Sequence, residues 1–341
     1  MVSIKTIKSV PVATASANGQ NLTAINQLGG RDIVALRLHL KVSGATAWSS
    51  VTDYIDSLVS SIKILGDGEP IISLNSGDHM RIAHFLTKKY IDGNGQQPMI
   101  KLDDPNFDIT MELLIPIMVK KGQFNDLQFA ITYGNWAFST GTEAIVTQRV
   151  YALYGDVAQN WYIRERTISV AAASQENQVT PTLGVPLALF SVSLQAADGL
   201  LISAVASNPA TRYTNEFDSI TFEQSGAKFL DTITEPEMRM LTELVLGVRY
   251  PSNSSGQSAI TPEDAQSNFF NLVAIDGDAL VIANVQNYVY VFDGYGLKPN
   301  TETILDVILS STVSSGDNIL FMFLSTEYPV GVVKSVQPTT K

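Results

Sequence analysis

Cysteine is absent from the 341 residues of this chain. Disulfide bonds, thiolate nucleophiles and cysteine-ligated zinc are therefore excluded, and the fold must be held by packing and hydrogen bonds. Charge is also scarce: only 16% of the residues are charged, and the acids outnumber the bases to give a net charge of −11. No run of Lys and Arg is present, so direct binding of nucleic acid through its phosphates is not expected.

Long apolar runs are missing as well. The longest, residues 112–119, contains a proline and is far shorter than the roughly 20 residues that a spanning helix needs. The first residues lack an apolar stretch, so we expect no signal peptide. Hydrophobic residues nevertheless make up 45% of the chain, which is enough for two hydrophobic cores at this length. Length and composition predict two compact domains, and the internal repeat described next places their boundary near Asn160.

Three short pieces of sequence occur twice in the same order, about 158 residues apart. They are Val12–Ser16 and Val170–Ser174, Ile55–Leu58 and Phe217–Ile220, and Met80-Arg81 and Met238-Arg239. The spacing is 158 residues for the first and last pair and 162 for the middle pair. Such differences arise when loops change length while packed elements stay in place. The pattern indicates an internal duplication.

Each copy begins with a strand of alternating residues. In the first copy Val34, Leu36, Leu38, Leu40 and Val42 alternate with Ala35, Arg37, His39 and Lys41. In the second copy Phe190, Val192, Leu194 and Ala196 alternate with Ser191, Ser193 and Gln195. A period of two predicts one buried face and one face toward solvent. We therefore expect both strands to be half-buried.

A hairpin and then a capped helix follow in each copy. The turns are Gly66–Glu69 and Ser225-Gly226, whose glycines allow positive φ. Helix starts are predicted at Ser76 and Thr234, the latter with Glu237 in a capping box, and Gly247 is predicted to end the second helix.

The remaining segments are short, rich in β-branched and aromatic residues, and separated by turn residues. The predicted strands are 107–119, 127–133 and 145–154 in the first copy and 280–282, 288–292, 304–309 and 319–324 in the second. With only one helix evident in each copy, the pattern favours an all-β protein of two sandwiches over alternating βαβ units.

The duplicated unit resembles the major capsid proteins of the double jelly-roll virus lineage, which build the shells of tailless icosahedral viruses, many with an internal membrane. The residues that carry the resemblance run from Asp56-Ser57-Leu58 through Arg81 and from Asp218-Ser219-Ile220 through Arg239. In each copy, a strand that contains Asp-Ser is followed by a hairpin with glycine in its turn and then by a helix with an N-terminal cap.

The resemblance implies two tandem eight-stranded jelly-roll β-sandwiches side by side, each with a short helix. Residues 1–160 would form an N-terminal jelly roll with an arm, and residues 161–341 a C-terminal jelly roll with a tail. It also implies a structural protein without enzymatic activity, which forms homotrimers of pseudo-hexagonal outline that tile an icosahedral shell. The expected location is the virion, after assembly in the host cytoplasm, with neighbouring capsomers and minor capsid proteins as partners.

Both ends of the chain are basic on an otherwise acidic body. Lys5 and Lys8 lie near the start, and Lys334 and Lys341 near the end. Anionic lipid attracts such residues by about 1 kcal/mol each. Within the capsid interpretation these lysines are candidates to face the interior or an internal membrane; ordinary solvated tails are the alternative.

Residues that suggest catalysis or metal binding are few. His39 lies on the polar strand face, while His79 and His84 are five apart, so we expect ordinary surface or partly buried histidines rather than zinc ligands. No nucleophile elbow, phosphate loop or metalloprotease motif is present. We expect neither catalytic residues nor a cofactor.

Two features leave binding or modification open. Weak calcium candidates are Asp103, Asp104, Asp108, Asp276 and Asp278, which offer oxygen ligands at loop spacing, although Asp-rich turns look the same. Asn253 and Asn21 stand in glycosylation sequons.

The alternative function is carbohydrate binding or cleavage by a two-domain β-sandwich protein, or a surface adhesin. In that case Trp136, Trp161 and Tyr295 would be the aromatic residues that stack on sugar rings.

Overall fold

The computed structural model describes residues 4–11, 15–25, 31–43, 55, 58–96, 98–103, 108–134, 144–170, 176–195, 217–247, 271–276, 279–284, 289–310 and 317–332. The repeated pieces at 12–14 and 56–57, together with Ala196, lie outside these ranges.

The first half contains nine strands and one helix in the described ranges. They are β1 (Ile4–Val10), β2 (Gln20–Ala24), β3 (Ile33–Ser43), β4 (Val59–Gly66), β5 (Glu69–Leu74), α1 (Gly77–Asp92), β6 (Met99–Asp103), β7 (Asp108–Val119), β8 (Leu127–Tyr133) and β9 (Ala144–Gly155). The strands predicted from the sequence pattern at 107–119, 127–133 and 145–154 correspond to β7, β8 and β9.

The second half repeats this order with one additional strand. Its elements are β10 (Tyr162–Ser169), β11 (Glu176–Val179), β12 (Leu189–Gln195), β13 (Phe217–Gln224), β14 (Ala227–Thr234), α2 (Glu235–Leu246), β15 (Asn271–Asp276), β16 (Ala279–Asn284), β17 (Val289–Asp293), β18 (Thr303–Leu309) and β19 (Asn318–Ser325). Two strands stand between α2 and β17, where the first half has only β6 between its helix and β7. The sequence pattern suggested a strand that ends in Asp218-Ser219. This is wrong, because β13 begins at Phe217 and these residues lie at its start.

Sheet topology is the same in the two halves. The first half has strands in the orders β1-β9-β3-β7 and β2-β8-β4-β5, and the second has β10-β19-β12-β17 and β11-β18-β13-β14. Each order in the second half is that of the first with every strand replaced by its counterpart. Two four-stranded sheets in this arrangement form an eight-stranded jelly roll. The predicted all-β fold of two jelly rolls is confirmed.

Local turn and cap signals are also confirmed. The hairpin turns have positive φ at equivalent residues, Asp67-Gly68 in the first roll and Ser225-Gly226 in the second, as tight hairpins require. Ser76 accepts a hydrogen bond from the His79 N–H at 3.3 Å. In the second roll the Thr234 N–H donates to the Glu237 carboxylate at 2.7 Å.

The alternating strands behave differently in the two rolls. In β3, Leu36, Leu38 and Leu40 are buried while Arg37 is exposed, as predicted. Ala35, which was expected on the solvent face, is fully buried, so the prediction is wrong at that residue. In β12, the expected solvent-facing residues Ser191 and Ser193 are fully buried, so that prediction is wrong.

The reason is that the outer face of the β12 sheet packs against the first roll. Leu189, Val291, Met322 and Leu324, which alternate with the residues of the second core, belong to the hydrophobic cluster of the first roll. A sheet covered on both faces has no solvent-facing side.

The two rolls are joined along their sheets as well as by packing. Strands β5 and β10 run parallel and pair at Ile72 and Ile163. Strands β6 and β15 also run parallel, with residues 100–102 beside 274–276. Within the described ranges, neither helix has the length and apolar character needed to cross a bilayer.

Candidate functional site at the junction of the rolls

A cluster of polar side chains lies where the first turn of α1 meets the second roll, and all of its members except the exposed Asn75 have buried or nearly buried side chains. We call it the junction cluster; its members are Asn75, Asp78, His79, Arg81, Glu165 and Ser193. Within it, Arg81 Nη1 lies 3.4 Å from Asp78 Oδ1, and the Ser193 hydroxyl donates to Asp78 Oδ2 at 3.0 Å. His79 Nδ1 contacts Glu165 Oε1 at 2.5 Å.

Three elements position the junction cluster. Glu165 projects from β10, Ser193 from β12, and the remaining members lie at or just before the start of α1. The Asn75 side-chain amide donates to Glu165 Oε2 at 2.7 Å, and its backbone N–H donates to the same oxygen. Burying charged groups is costly unless they are paired and hydrogen-bonded. The cluster therefore favours one placement of the rolls over others.

The Met-Arg repeat has a structural explanation in the two helices. Met80 and Met238 are both fully buried. The following arginine pairs with a carboxylate in the first turn of its own helix: Arg81 with Asp78, and Arg239 with Glu235. Each helix thus fixes its start by one apolar anchor and one ion pair, which explains why these two residues recur together.

Each helix also lies against a later strand of its roll and accepts a hydrogen bond from the backbone of that strand. His84 Nδ1 accepts a hydrogen bond from the Leu114 N–H in β7 at 2.8 Å. Thr242, 158 residues after His84, accepts one from the Val291 N–H in β17 at 2.9 Å. Such a bond satisfies a backbone donor that would otherwise be unpaired.

The histidines of α1 are more buried than expected. We predicted surface or partly buried side chains, whereas His79 and His84 are both buried; the strand residue His39 is half-exposed and contacts Glu112 at 3.3 Å. Burial, assisted by the positive charge of Lys88, lowers the pKa of His84 from 6.5 to about 3. His84 is therefore neutral at pH 7.

This histidine predicts acid sensitivity. Below pH 6.5 the unfolded chain binds a proton at His84 that the folded chain excludes, so stability is lost as the pH falls. From the pKa of about 3, we expect a loss of about 2 kcal/mol between pH 7.5 and pH 5. Asp306 acts in the opposite direction, because burial and the neighbouring Glu176 raise its pKa to about 6.

The measurement is urea unfolding of the native chain and of His84→Gln at pH 7.5 and pH 5. The difference in stability between the two pH values should be about 2 kcal/mol smaller in the variant. His39→Gln removes a histidine from the half-exposed strand face and serves as the matched control. Equal pH dependence in native and His84→Gln proteins would contradict the assignment.

Two of the four lysines predicted to face the interior or a membrane lie within the described residues. Lys5 and Lys8 lie in β1 and are exposed, and Lys5 pairs with Asp156 at 2.6 Å. Lys334 and Lys341 lie outside the described residues. Since β1 is paired with β9 along its length, the first two lysines belong to a sheet and not to a tail.

The acidic candidates for calcium come close together in the backbone. Asp103 pairs with Asp108 across β6 and β7, and Asp276 lies beside Leu102 on the adjacent strand β15. Asp104 and Asp278 lie outside the described residues. Among the side chains that the structure describes, no three His, Asp or Glu residues converge to hold a metal. Calcium binding stays a prediction.

The sequons and sugar-stacking candidates are placed as follows. Asn21 lies in β2, where its amide donates to the Tyr133 hydroxyl at 3.2 Å; Asn253 and Trp136 lie outside the described residues. Trp161 is buried and packs edge-on against Tyr90. Of the two candidates within the described residues, Tyr295 is exposed. Burial of Trp161 removes it as a sugar-stacking surface.

Solved structures with the same fold are known, although sequence similarity is very low. No protein-family model matches the chain, and no curated protein matches it significantly. The major capsid protein of Sulfolobus turreted icosahedral virus superposes with a TM-score of 0.57 at 11% identity, covering 94% of this chain and 97% of that one.

Two capsid structures from other viruses are also similar. The PBCV-1 virus capsid gives a TM-score of 0.54 at 10% identity, covering 94% of this chain and 93% of its own. The Faustovirus major capsid protein gives 0.50 at 8% identity, covering 94% and 89%. Since the likeness extends over both rolls, the chain has the double jelly-roll fold of viral major capsid proteins.

Proposed function

We propose that the chain is a structural major capsid protein that assembles as pseudo-hexameric homotrimers and tiles an icosahedral virion shell. The observation that carries the proposal is the repeat of the eight-stranded jelly-roll order in two adjoining rolls. Three such chains present six similar units, which suits a near-hexagonal lattice. The structural match to solved capsid proteins covers 94% of the chain, and this supports the same role.

The proposed role also implies the domain boundaries, partners, location and orientation of the chain. Residues 1–160 and 161–341 are the two jelly-roll units. The partners are other copies of the chain, neighbouring capsomers and minor capsid proteins, with no direct contact to nucleic acid and no enzymatic activity. The location is the virion, after assembly in the host cytoplasm. Lys5, Lys8, Lys334 and Lys341 are proposed to face the interior or an internal membrane.

Self-assembly is tested by mass photometry and negative-stain microscopy of the purified chain over a range of concentrations. We expect particles of three chain masses with a hexagonal outline. Circular dichroism of the same sample confirms that the protein is folded. A folded chain that stays monomeric at every concentration would contradict the proposal.

A further inference from the structure

Exposed apolar side chains form a short ridge on α2. Met240 and Leu244 are one turn apart, and 54% and 73% of their surfaces are exposed. The residues 158 positions earlier, Ile82 and Leu86 in α1, are fully buried and partly buried. The same helix face is therefore covered in the first roll and bare in the second.

The second roll makes polar contacts with the start of this face of α1. Asp78 and His79, at the start of this helix face, contact Ser193 in β12 and Glu165 in β10. The counterpart of Glu165 in the first roll, 158 residues earlier, is Ile7 in β1. Its side chain is also apolar and 59% exposed.

Sheet edges show the same difference between the rolls. Inside the chain β5 pairs with β10. In the part of the chain that the structure describes, their counterparts have one neighbour each: β14 pairs with β13 and β1 pairs with β9. An unpaired edge strand offers free backbone groups to another chain.

We propose that α2 and β14 of one copy dock on β1 of a second copy and repeat between chains the contact that joins the two rolls within one chain. The occupant is a second copy because this chain carries both halves of the contact, one at each end of the pair of rolls. The inference rests on the proposed self-assembly and names its surface. A contact between two different surfaces continues head to tail and closes into a ring when the rotation between neighbours is a whole fraction of a turn, which is one third of a turn for the proposed trimer.

The first test replaces the apolar ridge by charge. The double variant Met240→Glu with Leu244→Glu is expected to be monomeric by mass photometry at concentrations where the native chain is a trimer. Its melting temperature should be close to native, because both side chains are exposed in the isolated chain. Leu22→Glu is the matched control: Leu22 is 63% exposed on β2, and its variant should assemble as the native chain does.

The second test traps the contact covalently. Glu237 lies 158 residues after His79, and His79 contacts Glu165, the counterpart of Ile7. The variant Ile7→Cys with Glu237→Cys, treated with a short bismaleimide, is expected to give covalent species of up to three chains on a denaturing gel. The chain has no other cysteine. Leu22→Cys with Glu237→Cys is the control and should stay at one chain mass.

The outcomes separate this surface from self-assembly itself. If the charged double variant forms trimers like the native chain and the test pair cross-links no better than its control, the proposed surface is wrong while self-assembly stands. If the native chain is monomeric under all conditions, both proposals are wrong. Loss of trimers in the charged variant together with cross-linking of the test pair alone would establish the surface.

Discussion

Replacing Glu165 by alanine is expected to lower the free energy of unfolding by about 3–5 kcal/mol, because breaking a buried polar pair leaves its partners unsatisfied. The carboxylate accepts hydrogen bonds from both the backbone and the side chain of Asn75 and contacts His79. The side chains of Glu165 and His79 are buried between the two rolls, where water does not replace the lost partner, whereas Asn75 is exposed and can bind water instead.

Urea unfolding of native and variant chains measures this loss. Glu165→Gln keeps the size and one acceptor oxygen, so we expect it to lose less stability than the alanine variant. Arg166→Ala changes the next residue, which is exposed on the same strand, and should stay within about 0.5 kcal/mol of native. An alanine variant at position 165 as stable as Arg166→Ala would show that the junction cluster does not hold the rolls together.

Phe190→Ala is the second large effect, with an expected loss of about 3–5 kcal/mol. The Phe190 ring is fully buried at the centre of the second core, with its centroid 5.0 Å from those of Phe222 and Phe292. Truncation removes these contacts and leaves a cavity that the surrounding strands cannot close.

The same unfolding measurement applies, with two comparisons. Phe190→Leu retains most of the apolar volume and should lose less stability than Phe190→Ala. Leu22→Ala truncates an exposed side chain on β2 and should lose about 0.5 kcal/mol or less. A Phe190→Ala variant that unfolds like Leu22→Ala would contradict the assignment of this ring to the core.

Features that depend on neighbouring residues were predictable from the sequence. The glycine turns at Gly68 and Gly226 and the caps at Ser76 and Thr234 are in place, because turns and caps are decided within a few residues. The strand periodicity of β3 was predictable for the same reason. The repeat of Met-Arg also marked equivalent positions correctly, since both helices begin in the same way.

Features that depend on how the rolls pack were not predictable. Ser191 and Ser193 have the pattern of a half-exposed strand, and nothing in their neighbourhood shows that a second sheet face will be covered. His79 is polar in sequence and buried in structure because its partner Glu165 lies 86 residues away. Trp161 is buried at the junction for a similar reason. A contact between distant parts of the chain leaves no local signal.

The first hydrophobic cluster includes residues of the second roll, which has a consequence for synthesis on the ribosome. The last strand of the first roll, β9, ends at Gly155, whereas β19, which contributes Met322 and Leu324 to this cluster, ends at Ser325. The ribosome needs roughly 8–35 s to make the intervening segment at roughly 5–20 residues per second. During that time the nascent first roll lacks these apolar contacts, so its core is completed only when almost the whole chain has been synthesised.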